Sequence, residues 1–185
     1  MQEVLWHGRG GQGVVIASSI LGTALTIYEG KYAQSIPSFG GQRRDAPLTA
    51  LTRVSESPIR RRDKNNDPDY IVILDDTLTS TAVASLNHDK PRHIIVNSKK
   101  SADELGLAEW QPLTIVDAAA IALDVIGRPI TNTTMVGVVA AATGLAQLDS
   151  AKKAVADVIP PEIAAKNVAA AEEGYNNIKL PSRKG

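Results

Sequence analysis

The sequence predicts an α/β fold: three layers, α/β/α, around a mostly parallel but mixed sheet, with a helical C-terminal third. Three observations lead there. A strand-like run, Val4-Leu5-Trp6, passes through Gly8-Arg9-Gly10-Gly11-Gln12-Gly13 into an apolar segment, Val14 to Tyr28. In that segment Val14, Ala17, Leu21, Ala24 and Tyr28 recur at the three- and four-residue steps of one helical face. Two later runs, Tyr70-Ile71-Val72-Ile73-Leu74 and His93-Ile94-Ile95-Val96-Asn97, are apolar without alternation, the pattern of strands covered on both faces. After residue 118 the chain reads as successive helices, with alanine clusters such as Ala140-Ala141-Ala142 that favour helix and close packing.

In order, the first βα unit covers about residues 2–29, and a strand follows at about 31–37. The next strand, Leu48 to Val54, comes after only Ser38 to Pro47, too short for a parallel crossover, so these two strands are expected to run antiparallel or sit apart. Residues 57–69 are a polar turn region, and Arg60-Arg61-Arg62 within it reads as solvated surface. After the strand at 70–74, Asp75, Asp76 and Thr77 precede a helix near 78–87, with Asp76 or Thr77 expected as its N-cap. A short helix near 101–106 follows the next strand, and Leu113 to Asp117 is the last strand. The remaining helices fall at about 118–127, 132–146, 150–158 and 162–178. Gly127 suits a C-terminal stop, Asn132, Thr133 or Thr134 a cap, and Pro160-Pro161 a break.

The chain of 185 residues is expected to form a single domain over 1–185, large enough to bury about 70% of its unfolded surface. Twenty basic residues balance twenty acidic ones, which argues against nucleic acid as a partner. There is no cysteine, so disulfides, thiolate catalysis and cysteine-held zinc or iron–sulfur clusters are excluded within this chain. The N-terminus has no signal-peptide pattern and no apolar run is long enough to cross a bilayer; a cytoplasmic location is the expectation.

The spacing Gly8-x-Gly10-x-x-Gly13 matches the dinucleotide fingerprint, and a strand-to-helix turn exposes amide N–H groups and a helix dipole to an anion. A nicotinamide or flavin site also wants an acid about 20 residues on, closing the second strand. The run Lys31 to Ser38 has none, which discounts NAD. Two readings of the loop stand: a phosphate-type site, or a turn whose glycines permit close helix packing. Asp75, at a strand's carboxyl end, is where ligands of such sheets collect, but it also suits a helix cap. His7, His88 and His93 are too scattered for a metal, and no Gly-x-Ser-x-Gly or paired carboxylates stand out. The second informative loop is Pro37-Ser38-Phe39-Gly40-Gly41-Gln42-Arg43-Arg44-Asp45-Ala46-Pro47. Its glycines give freedom and its arginines offer planar donors for phosphate or carboxylate, beyond what a turn requires.

Together these residues resemble the gamma subunit, or gamma domain, of the pyruvate and 2-oxoacid:ferredoxin oxidoreductases. The resemblance rests on Gly8 to Val15, on Glu29 to Ser35 with Pro37-Ser38-Phe39-Gly40 and the paired arginines, on Pro68 to Asp75, and on Gly127 to Thr133 with a helix ending near Gly144-Leu145. The loop departs from the family's Gly-Pro-Glu-Arg-Arg-Gly-Ala-Pro, with Gly41, Gln42 and Asp45 replacing Pro, Glu and the second Gly. The resemblance implies a heteromeric enzyme with alpha, beta and delta-type partners that oxidatively decarboxylates a 2-oxoacid to acyl-coenzyme A, ferredoxin accepting the electrons. It places thiamine diphosphate, magnesium and iron–sulfur clusters in the partner subunits, which agrees with the missing cysteine. It also implies that this chain covers the active site and helps to bind coenzyme A through Gly8, Arg9, Gly10, Gly11, Gln12, Gly13, Ser38, Phe39, Gly40, Arg43, Arg44 and Asn132, with no metal ligands of its own. The alternatives are a purely structural subunit of the same complex and a stand-alone nucleotide-binding α/β protein.

Overall fold

The structure is a computed structural model and describes residues 1–38, 46–61, 67–84, 86, 92–110 and 112–178. Its centre is a six-stranded sheet built from β1 (Gln2–Arg9), β2 (Tyr32–Ser38), β3 (Pro47–Ser55), β4 (Tyr70–Ile73), β5 (His93–Asn97) and β6 (Leu113–Val116), in the order β2-β3-β1-β4-β5-β6. The sheet is mixed, as the short connection after β2 requires: β3 runs antiparallel to both β2 and β1, while β1, β4, β5 and β6 are parallel.

Successive side chains of a strand point to opposite faces, and the two cores follow from that alternation. Val72 of β4 and Leu74 just beyond it join a large core with Val4, Trp6, Ile95 and the helices α1 (Val14–Thr23), α3 (Ala118–Ile126), α4 (Asn132–Thr143), α5 (Leu148–Val158) and α6 (Pro161–Asn176). Ile71 and Ile73 join a smaller core with Ile94, Val96, Leu107, Trp110 and α2 (Thr79–Val83). The unbroken apolar runs of β4 and β5 are thus covered on both sides.

Helix α4 has almost no exposed face: Asn132 through Ala140 are all buried. It reaches that depth because two glycines let backbones touch. A Cβ at Gly137 would stand 1.8 Å from the Ala171 carbonyl oxygen of α6, and one at Gly174 would stand 2.3 Å from the Thr134 carbonyl oxygen. Buried hydroxyls fasten α1 to the sheet. Ser18 Oγ lies 2.5 Å from Ser35 Oγ and 3.0 Å from Thr52 Oγ1, and Trp6 Nε1 donates to Thr52 Oγ1 at 3.0 Å. At the opposite sheet end, Arg53 Nε donates to Glu3 Oε1 at 2.7 Å across directly paired positions of β1 and β3. Both side chains are fully buried, and neither was marked out by the loop motifs.

Several boundaries differ from the sequence expectations. The helical face from Val14 holds to Thr23 and then widens into a π-turn, Ala24–Tyr28. The helix near 78–87 is a 3-10 turn, Asp76–Leu78, running into α2, and its N-cap is Asp75 rather than Asp76 or Thr77. No helix forms at 101–106: Gly106 turns left-handed at φ 67° and the segment closes as one turn, with Leu105 N bonded to the Ser101 carbonyl at 3.1 Å. One turn fixes several dihedrals for a single bond, so it does not propagate. Gly127 stops α3 as expected, at φ 85°. Thr131, not Asn132, Thr133 or Thr134, is the N-cap residue of α4, and Gly144 ends it. Helix α5 begins at Leu148, two residues earlier than expected. Among the described residues no helix is long and apolar enough to cross a membrane.

Candidate functional site

Two adjacent parallel strands leave the sheet towards opposite faces. β1 is followed by α1 over the large core, and β4 by α2 over the small one. Between their carboxyl ends lies the crevice where ligands of open α/β sheets bind. The glycine loop sits on one lip of it and Asp75 on the other. Backbone geometry explains the glycines: Gly11 and Gly13 have φ of 94° and 78°, a region that penalises side chains. Gly8 is required by contact, since a Cβ there would stand 2.5 Å from Val14 Cγ2.

The loop is tied down by its own acceptors. Arg9 N donates to Gln12 Oε1 at 2.7 Å, Gln12 N to the Arg9 carbonyl at 3.0 Å, and Gly10 N to the Ala46 carbonyl at 3.0 Å. Across the crevice, Asp75 Oδ2 accepts from Arg9 Nε at 3.1 Å and from Gln12 Nε2 at 2.9 Å. Asp75 Oδ1 accepts from Thr77 N at 3.0 Å, and Arg9 Nη2 donates to Thr77 Oγ1 at 2.9 Å. Desolvation opposes the Asp75 charge, but the hydrogen bonds from Thr77 and Gln12 and the Arg9 guanidinium outweigh it and hold the carboxyl below the usual range. Asp75 is therefore both cap and crevice residue.

Beyond Asp75 the crevice continues as a cleft of about 290 Å³ lined by Gln12, Asp75, Asp76, Asn97, Ser98 and Asp117 among others. Its polar groups are mutually engaged: Ser98 Oγ donates to Asp76 Oδ2 at 2.7 Å, and Asn97 Nδ2 to the Leu74 carbonyl at 2.9 Å. A larger groove, about 640 Å³, runs along β6 past Leu113, Ile115, Ile121 and Ile178, away from the loops. The candidate site is the smaller cleft, which Gln12 of the glycine loop and Asp75 line together. No group of three or more His, Asp or Glu able to hold a metal occurs among the described residues.

Of the residues singled out from sequence, Gly8, Arg9, Gly10, Gly11, Gln12 and Gly13 share this carboxyl edge. Asn132 joins them from α4: it stands so close to Gly13 that a Cβ there would be 2.5 Å from Asn132 Nδ2. Ser38 ends β2 on the same edge, opposite Thr49 of β3. Phe39, Gly40, Arg43 and Arg44 lie outside the described residues, as do Gly41, Gln42, Asp45, Arg62 and His88. His7 stands near the carboxyl end of β1, just before the glycine loop. It lies between Thr49 and Ile73, its Nε2 is buried without a hydrogen-bond partner, and burial lowers its pKa to about 4.

The pyruvate ferredoxin/flavodoxin oxidoreductase model matches residues 3–177. The chain belongs to that family. It is 43% identical over 97% of its length to the pyruvate/ketoisovalerate oxidoreductases common subunit gamma of Pyrococcus abyssi, covering 98% of that protein. It is 40% identical over 96% of its length to pyruvate synthase subunit PorC of Methanocaldococcus jannaschii, covering 97% of it. The crystal structure of pyruvate oxidoreductase subunit PORC from Thermotoga maritima superposes with a TM-score of 0.82 at 32% identity, covering 96% of this chain and 97% of that one. Matching these subunits end to end, the chain is a gamma-type subunit of an oxidoreductase complex in this family.

Proposed function

We propose that this gamma-type chain works in a complex that oxidatively decarboxylates a 2-oxoacid to acyl-coenzyme A with ferredoxin as acceptor, where it covers the active site and helps to bind coenzyme A. Full-length likeness to chains named for pyruvate favours pyruvate as the 2-oxoacid. Thiamine diphosphate with magnesium would supply the decarboxylation chemistry and iron–sulfur clusters the electron path, both from alpha, beta and delta-type partners. The clusters need thiolates, and this chain has no cysteine.

The observation that carries the coenzyme A part is the 3.0 Å bond from Gly10 N to the Ala46 carbonyl. It fastens the end of the arginine-bearing segment to the glycine loop, and Ser38, where that segment begins, is on the same edge of the sheet. Coenzyme A carries a pyrophosphate and a 3′-phosphate. A helix N-terminus offers backbone donors and arginine offers a planar guanidinium fork, and both suit those charges.

The test uses the assembled complex with Arg43 and Arg44 replaced singly by alanine. Loss of one charge-assisted bond, about 1.5–3 kcal/mol, should raise the apparent coenzyme A constant on the order of tenfold to a hundredfold while decarboxylation stays intact. Lysine should rescue only in part, since it keeps the charge without the fork. Equal loss in both half-reactions would favour the purely structural subunit. That reading draws on the Arg9–Asp75–Gln12 tie, which locks the loop with no ligand. An unchanged coenzyme A constant in both intact variants would remove the arginines from the site.

A further inference from the structure

A sheet has two edges, and this one protects them unequally. At one end stands β2, which carries Pro37, a residue that blocks further pairing. At the other end stands β6, Leu113-Thr114-Ile115-Val116, a run without charge, proline or glycine. Its inner edge is paired to β5: Ile94 N donates to the Pro112 carbonyl at 3.1 Å and Ser98 N to the Val116 carbonyl at 2.9 Å. Backbone groups of successive residues turn to opposite sides of a strand. Thr114 and Val116 therefore face β5, while Leu113 and Ile115 turn their N–H and C=O groups outward. Those outward groups have no backbone partner among the described residues. An apolar edge of this kind is a template for another strand.

The space beside that edge is already shaped. The groove of about 640 Å³ follows β6 from Leu113 to Asp117 and is walled by Ala120 and Ile121 of α3 and by Asn177 and Ile178 just past α6. Asp117 is the only charged residue among its described lining residues, and that carboxylate is committed to capping α3, where Oδ1 accepts from Ala120 N at 2.9 Å. One turn past Ala120, Leu123 is 56% exposed and extends the apolar surface. The groove thus suits an uncharged, extended segment with apolar side chains. Residues 179–185 follow Ile178 directly but match it poorly: Lys179, Arg183 and Lys184 are charged, and Pro181 has no N–H to give. The chain is a subunit of a complex, so another subunit is the source of a segment that fits.

We propose that the free edge of β6 is a docking site for an extended apolar segment of another subunit of the oxidoreductase complex, which joins the six-stranded sheet as a further strand and pairs with Leu113 and Ile115. The proposal rests on the family assignment and not on the coenzyme A reading. Main-chain bonds along the edge supply affinity, and alternate side chains filling the groove supply specificity. The position also bears on the candidate site. Asp117 lines both this groove and the smaller cleft beyond Asp75. A partner strand seated on β6 therefore has one end beside that cleft and brings the partner's residues to its wall.

Hydrogen exchange, read residue by residue, compares the full-length chain alone with the assembled complex. The amides of Thr114 and Val116, turned to β5, should be protected in both. Those of Leu113 and Ile115 should exchange freely in the chain alone and become protected in the complex. Ile115→Pro removes the outward N–H and leaves the β5 ladder intact, so it should weaken assembly about tenfold or more. Should Ile115→Pro unfold, Ile115→Lys puts a charge on the edge of a folded chain, and the same loss is required of it. Ile163→Lys, on a 51% exposed residue at the other end of α6, should assemble as wild type does. Leu113 and Ile115 amides that stay unprotected in the complex would overturn the proposal, and so would folded edge variants that assemble normally. Protection already present in the chain alone also overturns it. The occupant is then residues 179–185 if their removal abolishes that protection, or a second copy of the chain if dilution does.

Discussion

Acid should find this protein's weak point at His7 before it reaches any carboxylate. The imidazole lies on β1 between Thr49 and Ile73, with Nε2 buried and unpartnered, and burial lowers its pKa from 6.5 to about 4. A folded pKa below the unfolded one means that the unfolded chain binds more protons as pH drops through 6.5. Stability therefore falls from pH 6.5 to about 4 and levels off below that. The difference of about 2.5 units, at 1.36 kcal/mol each, corresponds to about 3 kcal/mol in all, about 2 of it already lost at pH 5. The shifted carboxyls Glu29, Asp75, Glu104 and Asp149 all move downward, so their losses come at lower pH. The pKa of His93 is also lowered by burial, so His93 adds to the loss below pH 6.5 and the comparison must be with a variant that retains it. Urea unfolding of wild type and His7→Gln at pH 7.5, 6 and 5 measures the slope. The variant should start less stable or equal, yet lose about 2 kcal/mol less on going to pH 5. Parallel curves for the two proteins would refute the burial argument.

Gly13→Ala should cost about 1–3 kcal/mol from its left-handed backbone, plus the displacement of Asn132, whereas Gly11→Ala, with open space around it, should cost only the backbone part; denaturant midpoints separate the two. Gly137→Ala should abolish soluble expression or shift the melting point by many degrees, because its Cβ would sit 1.8 Å from a backbone oxygen of α6 that has nowhere to go. A double-mutant cycle with Arg9→Ala and Asp75→Asn should give a coupling on the order of 1 kcal/mol, as suits a partly exposed pair; zero coupling would mean that Gln12 and Thr77 alone hold Asp75. The chain freed of all partner subunits should reduce no ferredoxin from pyruvate, since it has no cysteine to hold a cluster; turnover by it would remove the subunit reading.

Much of this molecule is written in local patterns. The unalternated β4 and β5 runs gave two-sided burial, the ten-residue gap after Pro37 gave the antiparallel β3, and Gly127 gave the end of α3. Short segments were less legible, because residues 101–106 and 76–83 have too few turns for periodicity to outweigh local capping. The glycine loop was readable as a turn, but not its occupancy. Gln12 and Arg9 meet Asp75 only because β4 lies beside β1, a fact of strand order that no window of sequence contains. Asn132 entered through family resemblance, and its nearness to Gly13 depends on how α4 packs. The Glu3–Arg53 pair is the same kind of case: a charge in each of two strands, meaningful only once the register puts them opposite.

The backbone contact between α4 and α6 also has a temporal side. During synthesis α4 emerges from the ribosome before α6, and until residue 174 is out the face that it turns to α6 has no cover. The helix that presents Asn132 to the glycine loop can settle only when the last helix arrives. Nascent chains arrested short of α6 should therefore be chaperone clients with an unformed loop, and docking by other subunits should begin only after release.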